Sequence, residues 1–356
     1  MSSKVRVGVI GTGMIANLAH IPGYLNIPDE CEIVGVCDPR GEAIDSTKAK
    51  HEVGKVYADY KEMLADPTID AVSVCTPNLA HSQITVDALN AGKNVLCEKP
   101  LSMNAEQSKA MCRAARDSGK ILQVAFQMRF SKGARFLREF IDNGHMGDIY
   151  YARAQALRRR GVPHWGVFID KEKQGGGPLI DIGVHILDIT LFLMGNPKPV
   201  SASGKTWDVL AKNTDNKNFW GEFDRSKFTV EDFAAGFIRF DNGAVVSLES
   251  SFMANIEGDP FQTQVMGTKG GGRVFNFGNE CEIYKQMDGQ YFNMIPQNLP
   301  DVESQYHDEV KAFVNAVKTG APSPVPGECG LTLNAIFDAL YKSSVTGKEE
   351  AVDVSY

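Results

Sequence analysis

The chain has 356 residues, 43% hydrophobic and 23% charged, which is the composition of a globular protein long enough for about two domains. Its 37 Lys and Arg against 44 Asp and Glu leave a net charge of -7, so no general basic field exists to hold a polyanion and nucleic acid is not an expected partner. The longest apolar run, 186–194, is shorter than the ~20 residues that span a bilayer and is interrupted by Asp188; with a strand pattern beginning almost at the first residue, neither a membrane anchor nor a signal peptide is expected.

In chain order, β-branched runs at 5–10, 32–37, 71–75, 94–97 and 121–126 predict strands, with helices at 14–26, 42–52, 60–65, 80–90 and 105–118 between them. The last helix ends at Gly119, a natural C-cap. This alternation predicts an α/β domain, a doubly wound parallel sheet of the nucleotide-binding type, over residues 1–126. Beyond Gln127 the rhythm changes to a helix at 132–143, a strand at 149–157, and a glycine-rich turn and helix over 175–194. Strands follow at 200–206, 228–240, 244–252, 263–267, 271–275 and 282–284, with Asp241-Asn242-Gly243 the clearest hairpin signal. Helices at 305–319 and 331–344, separated by Pro322, Pro324 and Pro326, complete the pattern. Residues 127–356 are thus expected to form an α+β domain on a mostly antiparallel sheet, with the active site in the crevice between the two domains.

The run VRVGVIGTGMIA from Val5 to Ala16 places a GxGxxA turn directly after a strand and before a helix. Gly11 permits the tight turn, Gly13 removes a side chain where a pyrophosphate would meet backbone N–H groups, and Ala16 lets the helix lie close to the sheet. Asp38 ends the second strand where a carboxylate can accept hydrogen bonds from the adenosine ribose, the alternative being an acid that only opens a turn. A carboxylate there would repel a 2'-phosphate by up to ~4 kcal/mol, which favours NAD over NADP, although Arg40 nearby could pair with that phosphate or stack on adenine. Thr76-Pro77-Asn78 and Glu98-Lys99-Pro100 stand at the ends of later strands, facing a bound cofactor. The seven cysteines are odd in number and form no CxxC pair, so reduced thiols in a cytoplasmic protein are expected, with neither a disulfide framework nor a metal site.

GTGMIA, TPNLAH, CEKPLS and the later GGGPLIDIGVHILD, in that order and spacing, closely resemble the Gfo/Idh/MocA family of glucose-fructose oxidoreductase, inositol dehydrogenase and rhizopine catabolism, over essentially the whole chain. The resemblance implies a Rossmann domain followed by an open-faced antiparallel sheet domain. It also implies catalysis by Lys99, Asp181 and His185, a place for Gln127 near the nicotinamide, and assembly of a homodimer or homotetramer through the sheet face. The expected cofactor-binding set is therefore Gly11, Thr12, Gly13, Met14, Ile15, Asp38, Arg40, Thr76, Pro77, Asn78, His81, Glu98, Lys99 and Gln127.

The chemistry is consistent with those roles. Oxidising a secondary alcohol requires removal of the hydroxyl proton while hydride leaves the same carbon. An imidazole such as His185, with a reference pKa near ~6.5, suits the proton, and the Lys99 ammonium suits the developing alkoxide. Asp181 and His185 are four residues apart, so on one continuous helix they share a face and Asp181 can orient the hydroxyl. The blander alternatives are an acid at a helix N-terminus and a core histidine. Arg129, Arg158, His164 and Trp165 are expected to line a sugar or polyol site, with Trp165 as a platform for the ring and Arg158 and Arg160 on one strand face opposite Arg159. The leading expectation is an NAD-dependent dehydrogenase acting on a ring secondary alcohol of a sugar, cyclitol or glycoside. A glycosidase that uses NAD in transient oxidation, and a dinucleotide-binding regulatory protein without turnover, are the alternatives.

Overall fold

Short Val/Ile-rich runs form strands β1 (Val5–Ile10), β2 (Cys31–Cys37), β3 (Lys55–Tyr57), β4 (Ala71–Val74), β5 (Asn94–Cys97) and β6 (Leu122–Val124). They make one sheet in the order β3-β2-β1-β4-β5-β6, and every pairing within it is parallel. Strands so uniformly apolar need cover on both faces, which the intervening helices supply. The order reverses between β1 and β4, where a doubly wound sheet opens a ligand crevice at its carboxyl edge. The computed structural model describes residues 4–299 and 302–356.

The helix expected over 14–26 contains a π-helical turn, Ala16–His20, before continuing as Ile21–Leu25. Pro22 gives the reason: it has no N–H to reach back four residues, so the ladder widens ahead of it. The chain divides into two compact units, one of Met1–Gln127, Glu303–Leu331 and Ser355–Tyr356, the other of Met128–Val302 and Thr332–Val354. Residues 303–331, assigned from sequence to the second domain, fall in the first unit because the helix Gln305–Thr319 buries Val310, Phe313 and Val314 against Val5, Val7, Tyr24 and Leu96.

In the second unit, β7 (Ile149–Leu157), β8 (Pro199–Trp207), β9 (Phe233–Phe240), β10 (Val245–Ser251), β11 (Phe261–Gly267), β12 (Gly270–Phe275), β13 (Glu280–Met287), β14 (Gln290–Met294) and β15 (Glu350–Ala351) form a single sheet. Its order is β14-β13-β12-β11-β7-β10-β9-β8-β15, and all pairings are antiparallel except β7 with β10. The apolar helix Gly183–Leu193 packs on β7, β10 and β11. The strand expected from Phe228 begins only at Phe233, because Asp232 turns its carboxylate onto the N–H groups of Leu210 and Ala211 at 2.6 and 2.8 Å. Among the described residues no single helix is long and apolar enough to cross a membrane.

Candidate active site

At the end of β1, Gly11 adopts φ +91°, and a Cβ there would strike the Cys75 carbonyl at 2.6 Å. At Gly13, by contrast, nothing beyond its chain neighbours lies within 4 Å of the Cβ position, so the loop backbone faces open space, as an approaching phosphate requires. Asn17 fixes the loop from below, its Nδ2 donating to Thr12 O and Gly13 O, each at 2.9 Å. Met14 is largely exposed and Ile15 half-buried at the start of the helix.

Asp38 reaches back to the same loop. Its Oδ2 accepts from Thr12 N (2.9 Å) and Thr12 Oγ1 (3.1 Å), and its Oδ1 from the backbone N–H and Nε of Arg40, both at 3.0 Å. Burial works to raise this carboxyl's pKa, but the hydrogen bonds from Arg40 and Thr12 outweigh it and hold the pKa below the usual carboxylate value. Asp38 is buried while the Arg40 side chain is exposed, so the arginine is the solvent-facing half of the pair. These residues fit a dinucleotide: an open glycine backbone for the pyrophosphate and an ionised acid at the next strand end for the ribose.

The turns after β4 and β5 are tied together by His81, whose Nδ1 lies 2.9 Å from Pro100 O and whose Nε2 lies 2.8 Å from Thr76 O. His81 is buried, so the structure gives it the work of joining two turns within the expected cofactor set. Pro77 caps the helix Asn78–Asn90, and Asn78 opens it. Glu98 is buried: its Oε2 accepts the Lys99 N–H at 2.9 Å and its Oε1 lies 3.0 Å from His20 Nε2. His20 continues to Ser73 Oγ (3.0 Å), which meets Tyr24 Oη (2.7 Å). Burial works to raise the Glu98 carboxyl, but His20 and Lys99 hold its pKa below the ordinary value. Tyr306 lies beside Gln127, just beyond β6, and burial raises its phenol pKa. Burial pushes the Cys97 thiol up to about 12, so it is no nucleophile beside Lys99. His20 and Tyr306 escape the sequence reading; the only signal for His20 is a titratable residue on the apolar face of the first helix.

In the second unit, the three-glycine turn before Asp181 is required by packing. A Cβ on Gly176 would meet Tyr341 Oη at 2.0 Å, and one on Gly177 would meet Glu231 O at 2.2 Å. The buried Glu231 carboxylate accepts from Gly177 N (3.0 Å), Leu179 N (3.2 Å) and Tyr341 Oη (2.9 Å), so it caps the helix Pro178–Asp181 from the segment that leads into β9. Asp181 and His185 do not share one continuous helix. At Ile182 φ widens to -115° within the helical region, and the axis bends by 46° before Gly183–Leu193. The cause is tertiary: Ser250 Oγ on β10 donates to Pro178 O at 2.7 Å, beside the 3.0 Å bond from Ile182 N. Asp181 therefore ends one helix, buried, and half-buried His185 lies in the first turn of the next.

Arg129 takes a place other than the expected sugar site. Its Nε donates to both Asp188 oxygens at 3.0 Å and its Nη2 to Oδ1 at 2.6 Å, with the two side chains 4% and 1% exposed. This is a sealed ion pair between the turn after β6 and the helix Gly183–Leu193. The arginines at 158–160 lie beyond the end of β7, so strand alternation does not govern them. Arg160 bonds Ala254 O and Asn255, and Arg159 N–H donates to Asp259. Arg158 Nη1 stands 3.9 Å from Asp181 Oδ2, and its guanidinium lies 4.2 Å from the ring centroid of Trp220. Trp220 stacks on Trp165 at 5.7 Å, and Trp165 meets His164 edge-on at 5.0 Å. The structure thus brings Arg158, His164, Trp165 and Asp181 into one neighbourhood and adds Trp220, which nothing in its local sequence announces.

Residues 5–126 match the family described as oxidoreductase, NAD-binding Rossmann fold, and residues 138–354 match its C-terminal alpha/beta domain. The chain is 38% identical over 347 residues to D-glucoside 3-dehydrogenase of Escherichia coli, covering 97% of each protein. It is 29% identical over 333 residues to myo-inositol 2-dehydrogenase of Thermotoga maritima, covering 92% of each. The solved structure of levoglucosan dehydrogenase in complex with NADH has the same fold, with a TM-score of 0.86 at 22% identity over 99% of this chain and 100% of that one. The first unit thus carries an NAD-binding Rossmann fold, and the chain belongs to the Gfo/Idh/MocA oxidoreductase family.

Proposed function

We infer that the protein is a nicotinamide-dependent dehydrogenase that oxidises a ring secondary alcohol of a sugar, cyclitol or glycoside. The observation that carries this reading is the glycine loop, open at Gly13 and braced by an ionised Asp38, in a chain so similar to a D-glucoside dehydrogenase. When bound, the dinucleotide supplies the two-electron acceptor at its nicotinamide ring. Gly11 to Ile15 hold the pyrophosphate, and Asp38 takes the ribose hydroxyls in place of its two bonds from the Arg40 guanidinium. Thr76, Pro77, Asn78, Glu98 and Gln127 line the remainder of the cofactor site. NAD is preferred over NADP because the Asp38 carboxylate is ionised.

His185 takes the proton of the reacting hydroxyl as the C–H bond breaks, leaving a ketone, reduced cofactor and a protonated imidazole. The Lys99 ammonium stabilises oxygen as it becomes an alkoxide, and Asp181 orients the hydroxyl. Buried Glu98, already bonded to the Lys99 backbone, fixes the turn that carries the lysine. The seven free thiols suit a reducing cytoplasm. The polar face of the second sheet, with the half-buried ladder Gln262 to Gln155 to Glu249 at 3.0 and 2.7 Å, is assigned to contact with further copies of the chain.

The test is reduced-cofactor absorbance with a panel of polyols, cyclitols and glycosides. Lys99→Ala and His185→Ala should each lower turnover by ~10²- to 10⁴-fold while calorimetry still detects NAD binding. Wild-type rates in both variants would remove these roles, and product without net cofactor reduction would reassign the site to redox-neutral elimination.

A further inference from the structure

The pair Trp165 and Trp220 is more than a core feature. Each is 40% exposed, and the two indoles stack with only 12° between their planes. A stacked indole pair left two-fifths in water costs solubility that a fully buried pair would not, which is the mark of a surface kept for a ligand. They are also held rigidly. The buried Asn218 side chain accepts from Val162 N (2.9 Å) and donates to Val162 O (2.8 Å) and Gly221 O (2.7 Å), locking together the two loops that carry the tryptophans. A site pre-formed in this way binds without first having to order its loops.

Position decides what the platform takes. Asp181, the Arg158 guanidinium, the Trp220 indole and the Trp165 indole follow one another at 3.9, 4.2 and 5.7 Å. A guanidinium and an indole therefore separate Trp165 from the carboxylate that orients the reacting hydroxyl. A ring held at Asp181 thus meets the Arg158 guanidinium and the Trp220 indole before Trp165 in this series, so Trp165 is placed to meet a group attached to that ring rather than the ring itself. A pyranose ring presents C–H groups on its faces and hydroxyls at its rim, which suits an indole face with His164 and Arg158 beside it.

The geometry points to a subsite for a second ring: Trp165 and Trp220 stack the substituent ring of a glycoside whose other ring is oxidised beside Asp181. This rests on the dehydrogenase reading above and narrows its substrate class from free sugars and cyclitols to two-ring glycosides. Arg158 lies between the two positions, 3.9 Å from Asp181 on one side and over Trp220 on the other.

The experiment compares methyl glucosides, with one ring, against phenyl glucosides and cellobiose, with two. The wild type should prefer two-ring substrates by about tenfold or more in kcat/KM, mostly through KM, the size expected of one good aromatic contact. Trp165→Ala and Trp220→Ala should each bring that ratio close to one, and the phenylalanine variants should restore much of it. A wild type without the preference, or alanine variants that keep it, overturns the subsite and leaves the dehydrogenase standing. Failure to oxidise any sugar overturns the dehydrogenase instead. In that case tryptophan fluorescence decides the subsite, since two of the three tryptophans lie in it: cellobiose should alter the emission of the wild type and not of either alanine variant. A change in sedimentation in both variants with an unaltered substrate ratio would reassign the face to self-association and also overturn the inference.

Discussion

Two arginine–aspartate pairs in the second unit are indistinguishable in kind and opposite in state. Arg129 and Asp188 are closed at 2.6 Å and almost wholly excluded from water; Arg158 and Asp181 stand 3.9 Å apart with side chains 19% and 8% exposed. In the first pair burial works to raise the Asp188 carboxyl and Arg129 works against it, so each charge is tolerable only because of the other. In the second, the guanidinium divides its contacts among a carbonyl at Gly161, two aromatic rings and Asp181, and no one of them commits it. A sealed pair stabilises a fold, while a guanidinium shared among several partners beside partly exposed indoles is placed to meet a ligand.

Breaking the sealed pair should have the largest effect. Arg129→Met leaves a buried carboxylate without its counter-charge and should cost about 3–5 kcal/mol in chemical denaturation. The double variant Arg129→Met with Asp188→Leu should recover much of that loss, and a single variant within 1 kcal/mol of wild type by the same measurement, roughly the worth of a surface pair, would show the seal to be idle. Breaking the open pair should separate function from stability. Arg158→Ala should shift the denaturation midpoint by no more than about 1 kcal/mol yet raise KM for glycosides by roughly tenfold. Arg158→Lys keeps the charge but not the planar stack on Trp220, so it should rescue poorly.

Asp38 with Arg40 is the intermediate case, a buried acid with an exposed partner. Its folded pKa is lowered, so the stability it contributes is present above the unfolded value near ~3.9 and is lost as pH falls through the lower folded value. Asp38→Asn should therefore cost about 1–2 kcal/mol at neutral pH, discounted for the exposed arginine, with the gap to wild type closing in acid. Denaturation midpoints measured from neutral pH downward check the sign.

What the sequence discloses follows the same division between local and distant causes. The VRVGVIGTGMIA run holds strand, turn and helix within a dozen neighbouring residues, so the loop and its acid are legible. Pro22 announces the π-turn, and Asp288-Gly289 announces the hairpin to β14, though neither is used in the reading from sequence. The bend at Ile182 is not legible, because Ser250 causes it from a strand 72 residues from Pro178. Arg129 reads as a pocket residue for the same reason, its partner lying 59 residues away. Arg158 stands out in the sequence within a run of three arginines, but Trp220 becomes its neighbour only when two distant loops are joined through Asn218.

Glu231 carries a practical implication. The carboxylate that fixes the glycine turn beneath Asp181 takes one of its three bonds from Tyr341, on the helix Gly327–Thr346. An engineer trimming or grafting that rear helix to alter expression would be retuning the substrate cradle without touching any residue that lines it, and a loss of selectivity would be the first symptom.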